Sequence, residues 1–113
     1  MGGDGNLYEG RGYNRQGAHT SGYNSVGYGL SFIGDFTSQL PTAGAEAAYL
    51  RAVNNCLVPN GKVKSTYQMF GHRQTSATAC PGDRLYPEIQ TWPKWTSGSP
   101  RIAKNVSDTE EFL

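Results

Sequence analysis

The chain has 113 residues, enough for one domain with a modest core. Its formal net charge is +1 and 17% of its residues are charged, which excludes bulk electrostatic attraction to nucleic acid or anionic membranes. No apolar run reaches the roughly 18 residues of a membrane span, and two cysteines are too few for a disulfide framework.

The first segment, GGDGNLYEGRG, carries Asp4-Gly5, a hairpin-turn signal, with Leu7 and Tyr8 on the strand leaving it. Only Met1 is available for the entering strand. Either the chain starts inside a domain, or Asp4-Gly5 belongs to a loose N-terminus. No basic and apolar leader is visible in MGGDG. Residues 10–27 form a polar loop rich in Gly, Asn, Ser and Tyr, long enough to be functional or disordered.

YGLSFIG (28–34) is expected as a buried strand, with Tyr28, Leu30 and Phe32 on one face and Ile33 on the other. Thr42 after Pro41 is a candidate N-cap. Ala45, Ala48, Tyr49, Ala52, Val53 and Cys56 then recur at helical spacing until Pro59-Asn60-Gly61 stops the helix. Cys56 falls on the apolar stripe and fits a small core residue; it could also pair with Cys80. TYQMFGH (66–72) predicts a second strand. A further helix is expected after Pro81-Gly82-Asp83, carrying Leu85 and Ile89, with Pro87 either costing a backbone bond or delaying its start. WPKW closes the folded region at about residue 95. Residues 96–113 are expected as a mobile tail, with a glycosylation triplet at Asn105-Val106-Ser107. The order of strands and helices predicts an α/β domain, a mixed central sheet flanked by helices.

Chemistry concentrates in GHRQTSATAC (71–80). His72 leaves a strand and Cys80 precedes a helix, and both are good zinc ligands. A surface histidine with an inert thiol is the alternative, since a catalytic zinc takes three protein ligands. On spacing alone His19, in GAHT, is a solvated loop residue, and Arg11, in EGRG, is a surface arginine or a partner of Glu9. Arg11 is also suited to clamping a carboxylate with its planar fork. Nucleophile elbow, P-loop, dinucleotide fingerprint and paired-carboxylate signatures are absent.

GGDGNLYEGRGYN, GAHTSGYNSVGYGLSFIGDF and GHRQTSATACPGDRLYPEIQTWPKW, together with the helix between them, resemble a peptidoglycan recognition protein. That family shares its domain with zinc-dependent N-acetylmuramoyl-L-alanine amidases. The resemblance runs in order from residue 2 to about 95 and implies a partial amidase-type domain over 1–95, the C-terminal two thirds of the family's domain. It implies His72 and Cys80 as two of three zinc ligands, the remaining histidine belonging to a strand that would precede Met1. Tyr8 matches a tyrosine beside the zinc-bound water, and Thr78 a residue that polarises the scissile carbonyl. Arg11 matches an arginine that reads diaminopimelate. His19 and Asn24 match residues touching the stem peptide, and Tyr13 stands where a tryptophan is usual. Cys56 matches a position that, in some members, bonds to an upstream cysteine.

The implied partner is bacterial peptidoglycan, and the implied setting is extracellular innate immunity. The implied reaction is zinc-dependent hydrolysis of the amide between muramic acid and L-alanine. Cysteine at position 80 favours that amidase branch; a non-catalytic peptidoglycan receptor and a regulatory truncated form are the alternatives.

Overall fold

The computed structural model describes residues 1–99 and 110–113. In chain order the elements are β1 (Gly27–Gly29), α1 (Ala43–Ala52), β2 (Met69–Phe70), α2 (Leu85–Ile89) and β3 (Glu110–Phe112). A single turn of π-helix, Val53–Leu57, extends α1, and a 3-10 turn, His72–Gln74, follows β2.

Helix α1 begins as its sequence dictates. The Thr42 hydroxyl accepts the Ala45 N–H at 3.1 Å, satisfying one of the helix's orphan donors. Glu46 in the first turn and Arg51 in the last complement the helix dipole. Ala45, Ala48, Tyr49 and Ala52 are buried, and the stripe continues through Val53 and Leu57. At the far end Gly61 adopts φ +68°, and its N–H bonds to the Val58 carbonyl. Tyr49 stacks at 5.2 Å on Trp92, and Phe32 lies about 6 Å from Phe36, Tyr49 and Trp92. This aromatic group joins α1, α2 and the chain after β1 into one core.

Helix α2 starts at Leu85, so Pro87 falls within its first turn, where a missing N–H leaves no gap. Both residues of β2 are buried, as expected of a strand covered on two faces. The strand over 28–34 is shorter than its apolar pattern predicts. Only Gly27–Gly29 pairs, and Ile33 is 62% exposed. The segment after Asp4-Gly5 turns without forming a ladder strand. Met1 is buried, and its carbonyl accepts the Ile33 N–H at 2.9 Å. That contact fixes the N-terminal segment against the chain after β1.

The sheet order is β1-β3-β2, with both pairings parallel. Gly27 faces Glu110 and Phe70 faces Phe112. Residues 110–113 are therefore not a tail: backbone pairing on both sides places β3 mid-sheet, and Leu113 is buried. Residues 96–99 also differ from the expectation. Thr96 donates to the Met69 carbonyl at 3.0 Å, and the carbonyls of Thr96 and Gly98 both accept from Gln74. Residues 100–109, including the Asn105 triplet, lie outside the described residues. Among the described residues no helix is long and apolar enough to cross a membrane.

Candidate functional site

A cavity of 390 Å³ opens between the 7–19 segment and β1. Tyr8, Arg11, Tyr13 and His19 line it, so four of the expected site residues meet there. Leu30 and Ser31 form a wall shared with a second cavity of 270 Å³, which Cys80, Phe36 and Leu113 help to line. The groove and the Cys80 loop thus adjoin along one short stretch of chain.

His19 is the best-fixed member. Its ring lies between two glycines: a methyl group on Gly17 would stand 2.5 Å from Cδ2, and one on Gly29 would stand 2.6 Å from Cγ. Nε2 faces the Gly27 carbonyl at 3.0 Å, and Nδ1 faces the Thr20 hydroxyl at 2.9 Å. A carbonyl only accepts, so Nε2 carries the proton and the hydroxyl donates to Nδ1. Burial lowers the affinity of this ring for a second proton. The Gly27 carbonyl opposes that effect, and the charge of nearby His72 reinforces it. Burial, the largest of these effects, favours the neutral form of His19.

Asn24 acts from behind. Its Oδ1 accepts the N–H groups of His19 (2.8 Å) and Thr20 (2.7 Å), and it does not line the cavity. Tyr13 is half-buried, with its ring 6.2 Å from Tyr28 in an edge-on arrangement, and its carbonyl accepts the Tyr28 hydroxyl at 2.8 Å. Burial pushes the Tyr13 phenol up, as does a hydrogen bond with Cys56. Tyr8 is 56% exposed and donates its hydroxyl to the Asp4 carboxylate. That bond raises the Tyr8 phenol and lowers the Asp4 carboxyl. Arg11 is exposed and reaches the Gln16 carbonyl at 3.4 Å.

The His72–Cys80 loop is held by two residues that spacing rules do not flag. Arg73 donates to the Cys80 carbonyl (3.3 Å), the Ala79 carbonyl (2.5 Å) and the Asp83 carboxylate (3.0 Å), and stacks over the Tyr86 ring. Gln74 uses both ends of its amide. Oε1 accepts from Gly71 N–H and the Trp95 indole, and Nε2 donates to two carbonyls. Thr78 is exposed, and its hydroxyl accepts the Cys80 N–H at 3.2 Å. The Cys80 thiol is pushed up by burial and pulled back by Arg73. At Gly82, with φ +111°, a methyl group would stand 2.5 Å from the Phe36 carbonyl group. Cys56 and Cys80 are both free thiols, so the pairing between them does not occur.

Among the described residues no group of three or more His, Cys, Asp or Glu side chains is placed to hold a metal ion. A catalytic zinc takes three protein ligands. His72 and Cys80 alone do not fit one.

The model of the N-acetylmuramoyl-L-alanine amidase family matches residues 1–83. The chain belongs to this amidase and peptidoglycan-recognition family. It is 43% identical over 108 residues to the human N-acetylmuramoyl-L-alanine amidase, covering 95% of this chain and 19% of that one. It is 41% identical to Drosophila melanogaster peptidoglycan-recognition protein SC2, covering 84% of this chain and 51% of that one. The fold superposes on the solved Drosophila peptidoglycan recognition protein SA with a TM-score of 0.83 at 39% identity, over 93% of this chain and 60% of that one. It also superposes on recognition protein LE, solved in complex with tracheal cytotoxin, a monomeric diaminopimelic acid-type peptidoglycan. There the TM-score is 0.78 at 47% identity, over 83% of this chain and 55% of that one. The chain thus spans between a fifth and about half of the curated relatives' length. These family members share the α/β amidase-type fold seen here.

Proposed function

We propose that the chain binds the stem peptide of bacterial peptidoglycan in the groove of Tyr8, Arg11, Tyr13 and His19. One observation carries this reading: a single cavity gathers two guanidiniums, three phenol rings and an imidazole beside exposed backbone. The rings offer flat walls, His19 adds no competing charge, and Arg11 suits a carboxylate. The relative solved with tracheal cytotoxin supports the same ligand class. Family resemblance supports a role outside the cell, in recognition of bacteria. Calorimetry with muropeptides tests it: Arg11→Ala is expected to weaken binding of diaminopimelate-type fragments more than lysine-type ones. Equal losses on both would remove the role of Arg11, and a wild-type chain that binds neither would end the reading.

The second reading is zinc-dependent hydrolysis of the muramoyl–alanine amide. It is favoured by the way Arg73 and Gln74 hold His72 and Cys80 on one braced loop. A third metal donor is required for it. The Thr78 hydroxyl accepts the Cys80 N–H and so keeps its own proton for a developing oxyanion, whereas Tyr8 would have to release Asp4 to do the same. Zinc content and stem-peptide release, measured together on this chain, separate the two readings. Stoichiometric zinc with turnover supports hydrolysis; binding without either leaves the receptor.

A further inference from the structure

The groove contains a second cation that Arg11 does not explain. Arg15 lines the same cavity. The turn between the two arginines is pinned on both sides. Arg11 Nη1 reaches the carbonyl of Gln16, the residue after Arg15. Lys62 Nζ donates at 2.8 Å to Oδ1 of Asn14, the residue before it. The backbone carrying Arg15 is therefore placed on the Arg11 rim. Among the described residues no hydrogen bond or ion pair engages the Arg15 side chain.

Charge within the groove is unbalanced. Glu9 supplies the one carboxylate among the lining residues. It folds toward Gly12, where a methyl group would stand 2.6 Å from its Oε1. That position is beside the Arg11–Gly12 peptide, and among the described residues no ion pair joins Glu9 to either guanidinium. Burial favours the neutral form of His19. A fixed positive charge is left at Arg15, in a concave surface already shaped for a peptide. A guanidinium fork in such a place pairs best with a carboxylate on the ligand.

Building on the stem-peptide reading, we propose that Arg15 is a second carboxylate-binding residue of the groove. The ligand that fits is then a stem whose last residue carries two free carboxylates, one for each guanidinium. Diaminopimelate at the end of a tripeptide stem has this chemistry; lysine does not.

The test uses the whole chain and three synthetic L-alanyl-γ-D-glutamyl-diaminopimelate peptides, with the glutamyl α-carboxylate amidated throughout. One keeps both diaminopimelate carboxylates, and each of the others has a different one amidated. For an exposed ion pair worth about 1 kcal/mol, Arg15→Gln should weaken the diacid about fivefold. It should leave one mono-amide unaffected, and Arg11→Gln should spare the opposite one. Unchanged thermal melting of Arg15→Gln checks that the fold is intact. The proposal is overturned if Arg15→Gln binds the diacid as wild type does, or loses equally on all three peptides. If wild type binds none of them, the stem-peptide reading itself fails and takes this one with it.

Discussion

Helix α1 and the groove segment are held in opposite ways. The helix is fixed by burial: Ala45, Ala48, Tyr49, Ala52, Val53 and Leu57 present an apolar stripe to the core. Residues 11–27 contain almost no regular structure, and a few polar contacts place them: Asn24 on two N–H groups, His19 on Gly27, Tyr28 on Tyr13 and Lys62 on Asn14. Stability and the proposed recognition are thereby divided. Damage to the first region should destroy both, while damage to the second should mainly destroy binding.

The largest effect should come from the helix side. Leu57→Ala leaves a cavity at a fully buried position and should cost about 3 kcal/mol, read from chemical denaturation. A loss under about 1 kcal/mol would mean that the stripe does not carry the fold. Asn24→Ala sharpens the contrast. It leaves two partly sheltered N–H donors without their acceptor and should cost about 1.5 kcal/mol. Its effect on muropeptide affinity should exceed that of any equally destabilising core change. If affinity only tracks stability across both substitutions, the division is wrong.

The smallest effect is a pH dependence. Burial holds the folded-state pKa of His19 below its ordinary value of 6.5. Below that pH the unfolded chain takes up a proton that the folded chain resists, so stability falls as pH drops. At and above neutral pH both states are unprotonated and the effect vanishes. Equilibrium unfolding of wild type and His19→Gln between about pH 5 and about pH 8, across the histidine range, should show a shallower acid slope for the substitution. Parallel curves would place the proton elsewhere.

How far the sequence announces this molecule follows the same division. Cap, stripe and stop signals describe α1 closely because they are local: Thr42 bonds within its own helix, and the 3.6-residue period is set by burial. His72 and Cys80 are legible as one loop for the same reason. Strand β3 is not legible. Glu-Glu-Phe has no strand pattern of its own, and only pairing with residues more than forty positions away makes it one. The work of Asn24, Arg73 and Gln74 is equally hidden, because a polar side chain in a loop shows its partners only after folding. Family resemblance named Asn24 for ligand contact, and the structure adds a role that no local pattern shows: its Oδ1 accepts two backbone N–H groups.

The close approach at Gly82 bears on which sequences this domain can explore. Gly10 has open space where a side chain would grow, so that position is free to vary. At Gly82 both the backbone angle and the Phe36 carbonyl forbid a β-carbon. Any other residue there must push apart a pair of main-chain segments, one of them leading directly from Cys80. Drift in the wall of the groove can retune the ligand, whereas the seam behind Cys80 has a single admissible letter.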